Sequence, residues 1–283
     1  MKPVVLYHAN CSDGFGAAWS AWKRFGEAGT YLPVDYGTRP PQLDPESQVY
    51  ILDFSFPREV IEKMQALYAK LIVIEHHQTA AEELEGLQCL IFDSAKSAAV
   101  LSWEYFHPGT TVPELLQYVM DRDLWRFRLT ESREVFAALN SYPMDFLVWD
   151  RLEASKLAVE GEPILRYQRE VARTVCDQAR LVTIAGYRVP VVNTATLVSE
   201  VGEELLKRFP ESPFAASYFD RLDGQRQWSL RSREDFDVSE IAKSFGNGGH
   251  ARAAGFETPL SEEDYVPKPR FLPKTAFDPT PEP

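Results

Sequence analysis

The sequence predicts an α/β protein with two lobes: an N-terminal domain built on a parallel sheet and a smaller, mixed α/β C-terminal domain, joined by a long helix. Three apolar runs in the first 75 residues, Val4–Tyr7, Val49–Leu52 and Leu71–Ile74, each precede a segment with helical spacing. Strands that alternate with helices form a parallel sheet covered on both faces. The length of 283 residues and the hydrophobic content of 45% suffice for one large core and a smaller one.

Helices of the N-terminal lobe are indicated by segments in which apolar residues recur every three or four positions. These segments are Ala17–Phe25, Pro57–Ala69, Gln78–Gly86, Ser97–Phe106 and Val112–Tyr118. Gly14 and Gly16 precede the first of them in what we interpret as a loop. A long polar helix, Ile164–Arg180, is flanked by Gly161 and Pro163 and would join the two lobes.

The C-terminal lobe begins with a predicted hairpin and continues with alternating helices and strands. The predicted elements, in order, are Val182–Ala185, Val189–Val192, Val198–Phe209, Phe214–Tyr218, Gln227–Leu230 and Val238–Phe245. The predicted boundaries are therefore an N-terminal domain over 1–158, a linker helix over 159–180, a C-terminal domain over 181–258 and a proline-rich tail over 259–283.

The charge and the cysteines limit the classes of function. With 30 Lys and Arg against 42 Asp and Glu, the net charge is −12, so we expect a small anionic substrate and no long duplex nucleic acid. Cys11, Cys89 and Cys176 are widely spaced, which argues against a disulfide framework or a zinc ribbon. We expect a cytoplasmic protein without a membrane span, and the sequence leaves a homodimer open.

Side chains that can bind metal follow each of the three predicted strands. His8 and Asp13 follow the first, Asp53 the second, and His76 and His77 the third. Any one of them is more often a turn or capping residue. The carboxyl ends of parallel strands meet at one edge of a sheet. Because all three predicted strands are followed by such residues, the pattern instead predicts a metal site at that edge. Imidazole and carboxylate together suit Mn, Co, Fe or Zn and the hydrolysis of phosphoesters.

A glycine-rich segment near residue 250 is the second candidate site. In Gly246–His250 the successive glycines would leave backbone N–H groups able to cradle an anion. This segment is therefore a candidate anion-binding site.

Taken in order, these motifs resemble those of the DHH/DHHA1 phosphoesterases. The matching segments are His8–Gly14, Asp53, Glu75–His77, Asp123–Phe127 and Gly248–His250, within a region covering about residues 3–256. The family includes RecJ-like exonucleases, oligoribonucleases, cyclic-dinucleotide phosphodiesterases and, with a different C-terminal lobe, family II inorganic pyrophosphatases. The resemblance implies a DHH domain followed by a DHHA1 domain.

Residue roles follow from the resemblance alone. It implies metal ligation by His8, Asp13, Asp53, His76 and Asp123. Asp53 would bridge, His77 would face the scissile phosphate, and catalysis would rest on these two with His76. Substrate binding would fall to His77, Arg231, Gly248, Gly249 and His250. The implied cofactor is a divalent metal, Mn²⁺ in the first place, as one or two ions.

Three positions leave alternatives. Asp121 competes with Asp123 for the fourth motif, and we prefer Asp123 because Phe127 follows it by four residues. The first motif has Cys11 where a second aspartate is usual, so Cys11 is either a soft metal ligand or a small buried residue. Glu75 replaces the name-giving aspartate of the family, and it either orients a histidine or contacts metal directly.

The function expected from the sequence is metal-dependent hydrolysis of short oligonucleotides or linear or cyclic dinucleotides by metal-activated water. One alternative keeps the chemistry and changes the substrate to pyrophosphate or polyphosphate. Another, from a different class, is a non-catalytic nucleotide-binding protein with a degenerate metal site. The partner in each case is a small phosphate-containing molecule.

Overall fold

A computed structural model describes residues 2–35, 37–233 and 235–260. The chain divides into two compact units between Thr174 and Val175. Within the described residues, no helix combines the length and the apolar character needed to cross a lipid bilayer.

The first unit is built on a parallel sheet, as predicted. Its strands are β1 (Pro3–His8), β2 (Thr30–Val34), β3 (Gln48–Leu52), β4 (Lys70–Glu75) and β5 (Leu90–Phe92), in the spatial order β2-β1-β3-β4-β5. Every pair of neighbours is parallel. The two strands that the sequence did not predict are the edges: β2 contains Pro33, which is tolerated at an edge, and β5 has three residues.

Helices cover both faces of this sheet. The helices up to the division between the units are α1 (Ser12–Phe25), α2 (Arg58–Leu67), α3 (Gln78–Glu83), α4 (Ala98–Phe106), α5 (Glu114–Asp123), α6 (Ser132–Leu139), α7 (Phe146–Trp149) and α8 (Ala154–Cys176), whose last two residues belong to the second unit. Leu6 and Ile51 pack on the face with α2, whereas Val5 and Leu52 pack on the face with α1 and α4. Burial on both faces explains why the strands are apolar runs without alternation.

Glycines misled two helix predictions. Gly14 lies inside α1, not in a loop, and a Cβ atom on it would stand 2.4 Å from the backbone oxygen of His8. The predicted linker Ile164–Arg180 is the helix Ala154–Cys176, and it contains both Gly161 and Pro163. A Cβ on Gly161 would stand 1.7 Å from the backbone oxygen of Glu134. These glycines therefore permit close packing and do not mark helix ends.

The second unit is a mixed α/β fold, as predicted. Its strands are β6 (Arg180–Ile184), β7 (Tyr187–Asn193), β8 (Phe214–Asp220), β9 (Gln225–Ser232), β10 (Gly248–His250) and β11 (Ala253–Pro259), ordered β10-β11-β9-β8-β7-β6. The β7–β8 pair is parallel and the other pairs are antiparallel. The helices are α9 (Val198–Arg208) and α10 (Ser239–Ser244).

The C-terminal end of this unit differs from the prediction. Gly248–His250 is a strand paired with β11, not an open loop of amide groups. Gly249 has a φ of 145°, and a Cβ atom on it would stand 2.6 Å from the Cα of Ala254. A glycine is required there by the strand pairing. The predicted tail from 259 starts one residue too early, since Pro259 ends β11, and positions 261–283 lie outside the described residues.

Candidate metal centre

The carboxyl ends of three adjacent strands bring the predicted ligands of the first unit to one place. His8 is the last residue of β1, Asp53 follows β3, and His76 follows β4. The N–H of Asp53 donates to the carbonyl of Ile74 (3.0 Å), and this bond holds the turn after β3 against β4. Asp53 has a φ of 66°, a left-handed conformation that non-glycine residues adopt at a cost in free energy. Such backbone strain is common at functional sites.

Three carboxylates surround the imidazole of His76. Its Nε2 atom lies 3.2 Å from Oδ1 of Asp53, 3.6 Å from Oδ2 of Asp13 and 3.6 Å from Oδ2 of Asp123. His76 is 3% exposed, and Asp13 and Asp53 are each 1% exposed. A single N–H group at Nε2 of His76 cannot donate hydrogen bonds to all three carboxylates. When the carboxylates are ionised, their negative charge therefore exceeds what His76 can neutralise.

A second group of ligand atoms shares Asp53. Oδ2 of Asp53 lies 3.2 Å from Nδ1 of His8, while Oδ1 of the same carboxylate faces His76. The ligand atoms of His8, Asp53 and Cys11 all lie within 4.8 Å of one another. The two oxygens of Asp53 therefore face two different groups, the arrangement that a bridging carboxylate has between two ions.

The charges of the cluster are strongly coupled. Burial, together with the charges of Asp53 and Asp123, raises the pKa of Asp13 well above its ordinary value. Burial also raises the pKa of Asp123. For His76, burial opposes the charged form, but the hydrogen bond with Asp53 and the charges of Asp13 and Asp123 outweigh it and raise its pKa to about 10. Without a bound cation the cluster therefore retains protons that carboxylate and imidazole ligands would release.

A divalent cation fits these residues. Oδ2 of Asp123 is buried and accepts no hydrogen bond from any described residue. Ligands of one small ion at metal–ligand distances of about 2.0–2.2 Å stand about 3–3.5 Å apart, close to the separations around Nε2 of His76. The donor set of one imidazole and three carboxylates suits Mn, Fe, Co or Zn.

The two aspartates of α5 have separate surroundings. Asp123 lies in the cluster. Asp121 is 4% exposed, and its carboxylate accepts hydrogen bonds from the N–H groups of Arg128 (2.9 Å) and Leu129 (3.2 Å) and from the hydroxyl of Ser132 (2.6 Å). Asp121 thus holds the chain between α5 and α6, and it is Asp123 that the fold brings to His76.

Asp13 has a double set of contacts. Its two carboxylate oxygens accept hydrogen bonds from the N–H groups of Ala98 (2.7 Å) and Ala99 (3.0 Å) at the start of α4, where the helix dipole favours negative charge. These bonds fix the carboxylate while Oδ2 faces His76.

Glu75 orients His77 and lies outside the cluster of ligand atoms. Its carboxylate accepts hydrogen bonds from the backbone N–H groups of His76 and His77, and it lies 2.9 Å from Nδ1 of the His77 ring. Burial opposes protonation of His77, but the charge of Glu75 and this hydrogen bond outweigh it and raise its pKa. One carboxylate thus contacts three nitrogens of the two histidines.

In the second unit, the predicted phosphate-binding residues lie in one row across the sheet. Arg231 of β9 pairs with Ala253 of β11, which pairs with His250 of β10. Directly opposed residues point to the same face, so Arg231 and His250 lie on one face of the sheet, two strand spacings of about 4.8 Å apart at their backbones. The Arg231 guanidinium donates hydrogen bonds to the carbonyl of Leu230 (2.8 Å) and to the hydroxyl of Ser199 (3.1 Å). The Arg231 side chain lies against Gly202 of α9, where a Cβ atom would stand 2.6 Å from its Cγ.

Two features near the centre were missed or left undecided by the sequence analysis. The position of Cys11 beside His8 and Asp53 could not be settled, because the loop conformation after β1 decides it. The segment that follows β2 lines a cavity together with Glu75 and His77, and it was not predicted to lie near the centre because β2 itself was not predicted. The apolar run Tyr31–Val34 followed by Asp35 repeats the pattern of strand and terminal carboxylate, and it was the available signal.

Comparison with known proteins gives relatives over most of the chain. No protein-family model matches it. An uncharacterized protein of Acanthamoeba polyphaga mimivirus is 29% identical over 89% of this chain, and oligoribonuclease NrnB of Bacillus subtilis is 24% identical over 88%. The chain spans 66% of the viral protein, just under two thirds of its length, and 71% of NrnB.

Solved structures with the same fold carry the DHH domain. The DHH domain of a protein assigned to a family of ribosomal proteins superimposes with a TM-score of 0.56 and 13% identity, covering 93% of this chain and 84% of that one. RecJ of Thermus thermophilus in complex with Mn²⁺ gives a TM-score of 0.51 and 14% identity, covering 92% of this chain and 50% of RecJ. The fold that the resemblance predicted is confirmed: this chain shares its fold with a DHH domain and with RecJ.

Proposed function

We propose that this protein is a metal-dependent hydrolase that cleaves phosphodiester bonds in short oligonucleotides or dinucleotides. The observation that carries the proposal is the convergence of three carboxylates on Nε2 of His76, with the second oxygen of Asp53 turned to His8. The similarity to oligoribonuclease NrnB supports a nucleotide substrate, and the fold shared with RecJ, which was solved in complex with Mn²⁺, supports a divalent metal.

Two ions would be held by five residues of the first unit. Asp13, His76 and Asp123 would hold one ion, His8 would hold the other, and Asp53 would bridge them; Cys11 is placed to join His8. When bound, such ions make a water molecule nucleophilic at neutral pH and neutralise charge on phosphoryl oxygens. We take Mn²⁺ as the first candidate because the site is rich in carboxylates.

The remaining residues would act on the substrate itself. His77, oriented by Glu75 and carrying a raised pKa, would donate a hydrogen bond to a non-bridging oxygen of the scissile phosphate. In the second unit, Arg231 and His250 would bind another phosphate of the substrate, with Arg231 offering a bidentate fork. Gly249 would serve indirectly, by allowing the strand pairing that places His250 in the row with Arg231.

A panel of substrates tests the proposal. Purified protein with Mn²⁺ should release mononucleotides from di- to pentanucleotides, and His76→Ala should lower kcat by at least about 10³-fold, as expected for loss of a catalytic metal. Orthophosphate release from tripolyphosphate without nucleotide hydrolysis would indicate a polyphosphatase instead. Nucleotide binding without any turnover would indicate a non-catalytic protein, and either result would overturn the proposal.

Arg231→Lys separates substrate binding from metal binding. The substitution keeps the charge and removes the planar fork, so it should raise KM for a dinucleotide and leave the metal content unchanged. Arg226→Lys, on the same strand but paired with Asp220, is the matched control and should behave as the wild type. An unchanged KM for Arg231→Lys would remove Arg231 from the binding site.

A further inference from the structure

Beside the candidate metal centre, the first unit contains a cavity of about 440 Å³. It lies beyond the ends of β2, β3 and β4, and its wall includes Glu75 and His77. The ring centroids of His77 and His76 are 4.4 Å apart. A group covalently attached to a phosphate at the metal centre could therefore reach this cavity directly.

Both apolar side chains and carboxylates line the cavity. Phe54, Phe56 and Ala80 are buried residues of its lining, and Pro40, Pro57 and Val60 also line it. The charged groups among the described lining residues are the carboxylates Asp35, Glu75 and Glu83 and the guanidinium of Arg39, in addition to His77. Carboxylates outnumber the permanent cation, so a chain of further phosphates would be repelled from this cavity.

The size and chemistry of the cavity fit one nucleoside. Its volume lies within the range of about 300–1,000 Å³ typical of pockets for small organic ligands. Apolar walls suit the faces of a base, and carboxylates accept hydrogen bonds from ribose hydroxyls and from amino groups of bases. We propose that this cavity binds the nucleoside esterified to the scissile phosphate. This role rests on the proposed function. It would explain why the protein prefers nucleotides to polyphosphate, which has no nucleoside to fill the cavity.

Filling the cavity tests this proposal. Val60 lies in the first turn of α2 and lines the cavity, whereas Leu67 ends the same helix and is 54% exposed. Val60→Trp should raise KM for a dinucleotide by at least about tenfold, the scale of a steric misfit in an apolar pocket. It should leave turnover of methyl p-nitrophenyl phosphate, a phosphodiester without a nucleoside, within about twofold of the wild type. Leu67→Trp is the matched control.

Direct binding separates this inference from the proposed function. Saturation-transfer NMR with the four ribonucleosides, in place of any phosphorylated substrate, should show binding to the wild type and to Leu67→Trp, and loss of binding to Val60→Trp. Binding without hydrolysis of any phosphodiester would support the cavity and overturn the proposed function. Hydrolysis with no nucleoside binding, or with equal effects of Val60→Trp on both substrates, would overturn the cavity assignment alone.

Discussion

The carboxyl groups of Asp13 and Asp123 lie beside the buried imidazole of His76; Asp13 is 1% exposed, and the side chain of Asp123 is 23% exposed. Burial and mutual repulsion raise the pKa of both carboxyl groups, so ionising them in the absence of a cation destabilises the folded state. A divalent ion would reverse this effect by supplying the missing positive charge. These three side chains are therefore arranged to bind a cation, and their arrangement lowers the stability of the metal-free protein.

The two aspartates of α5 give a paired prediction. Asp123→Asn removes a repelling carboxylate, so it should raise the unfolding midpoint of the metal-free protein while weakening its Mn²⁺ affinity more than the about 10–100-fold typical of outer-sphere changes. Asp121→Asn weakens hydrogen bonds to Arg128, Leu129 and Ser132, so it should cost about 1–3 kcal/mol of stability and leave metal affinity unchanged. Calorimetry with and without Mn²⁺ checks both.

The stability gained by Asp123→Asn should depend on pH with a defined sign. Because the folded-state pKa of Asp123 is raised, its ionisation has no effect on stability below the unfolded value of about 3.9, destabilises the fold increasingly above it, and has its full effect above the folded-state pKa. The advantage of the variant over the wild type should therefore shrink as the pH falls toward 4 and grow as the pH rises from there. A difference that grows on acidification would contradict this account of the cluster.

At the scale of elements, the close contact of α1 with the end of β1 positions His8. A Cβ atom on Gly14 would stand 2.4 Å from the backbone oxygen and 2.9 Å from the Cβ of His8. Gly14→Ala would ordinarily favour a helix by about 1 kcal/mol. Here the clash should outweigh that gain, destabilise the protein by about 1–3 kcal/mol and displace His8, weakening metal binding.

Gly161→Ala in α8 is the control for Gly14→Ala. Its added Cβ atom would stand 1.7 Å from the backbone oxygen of Glu134, so it should also destabilise the protein, but it contacts no proposed ligand and should leave metal affinity unchanged. Metal titration and urea unfolding of the two variants should separate them. Equal metal affinity in Gly14→Ala and the wild type would show that His8 is not held by this contact.

The elements also show what the sequence could and could not predict. The central strands β1, β3 and β4 were predictable because burial on both faces makes them continuous apolar runs, and their ends located His8, Asp53 and His76. The edge strands β2 and β5 lack that signature, so the cavity beside β2 was missed with them. The helix boundaries predicted near Gly14 and Gly161 were wrong. Both glycines lie inside helices because another segment of the backbone packs closely against them, and a local sequence pattern contains no information about such tertiary contacts.

For the whole molecule, the net charge of −12 is consistent with a small substrate and a centre that attracts cations. The two units carry different chemistry: carboxylates and imidazoles gather in the first, whereas Arg231 and His250 lie in one row of the sheet in the second. The order of these motifs was readable from the sequence. The separation of Arg231 from His250 by a single alanine was not, because it depends on the register of three strands.

The count of Mn²⁺ ions bound per chain tests the central claim most directly. Elemental analysis after equilibrium dialysis should find two ions in the wild type and fewer than one in Asp53→Asn, since an amide offers one neutral oxygen where the carboxylate offers two charged ones. Asp121→Asn should retain two. One ion or none in the wild type, or two ions retained in Asp53→Asn, would contradict a centre bridged by Asp53.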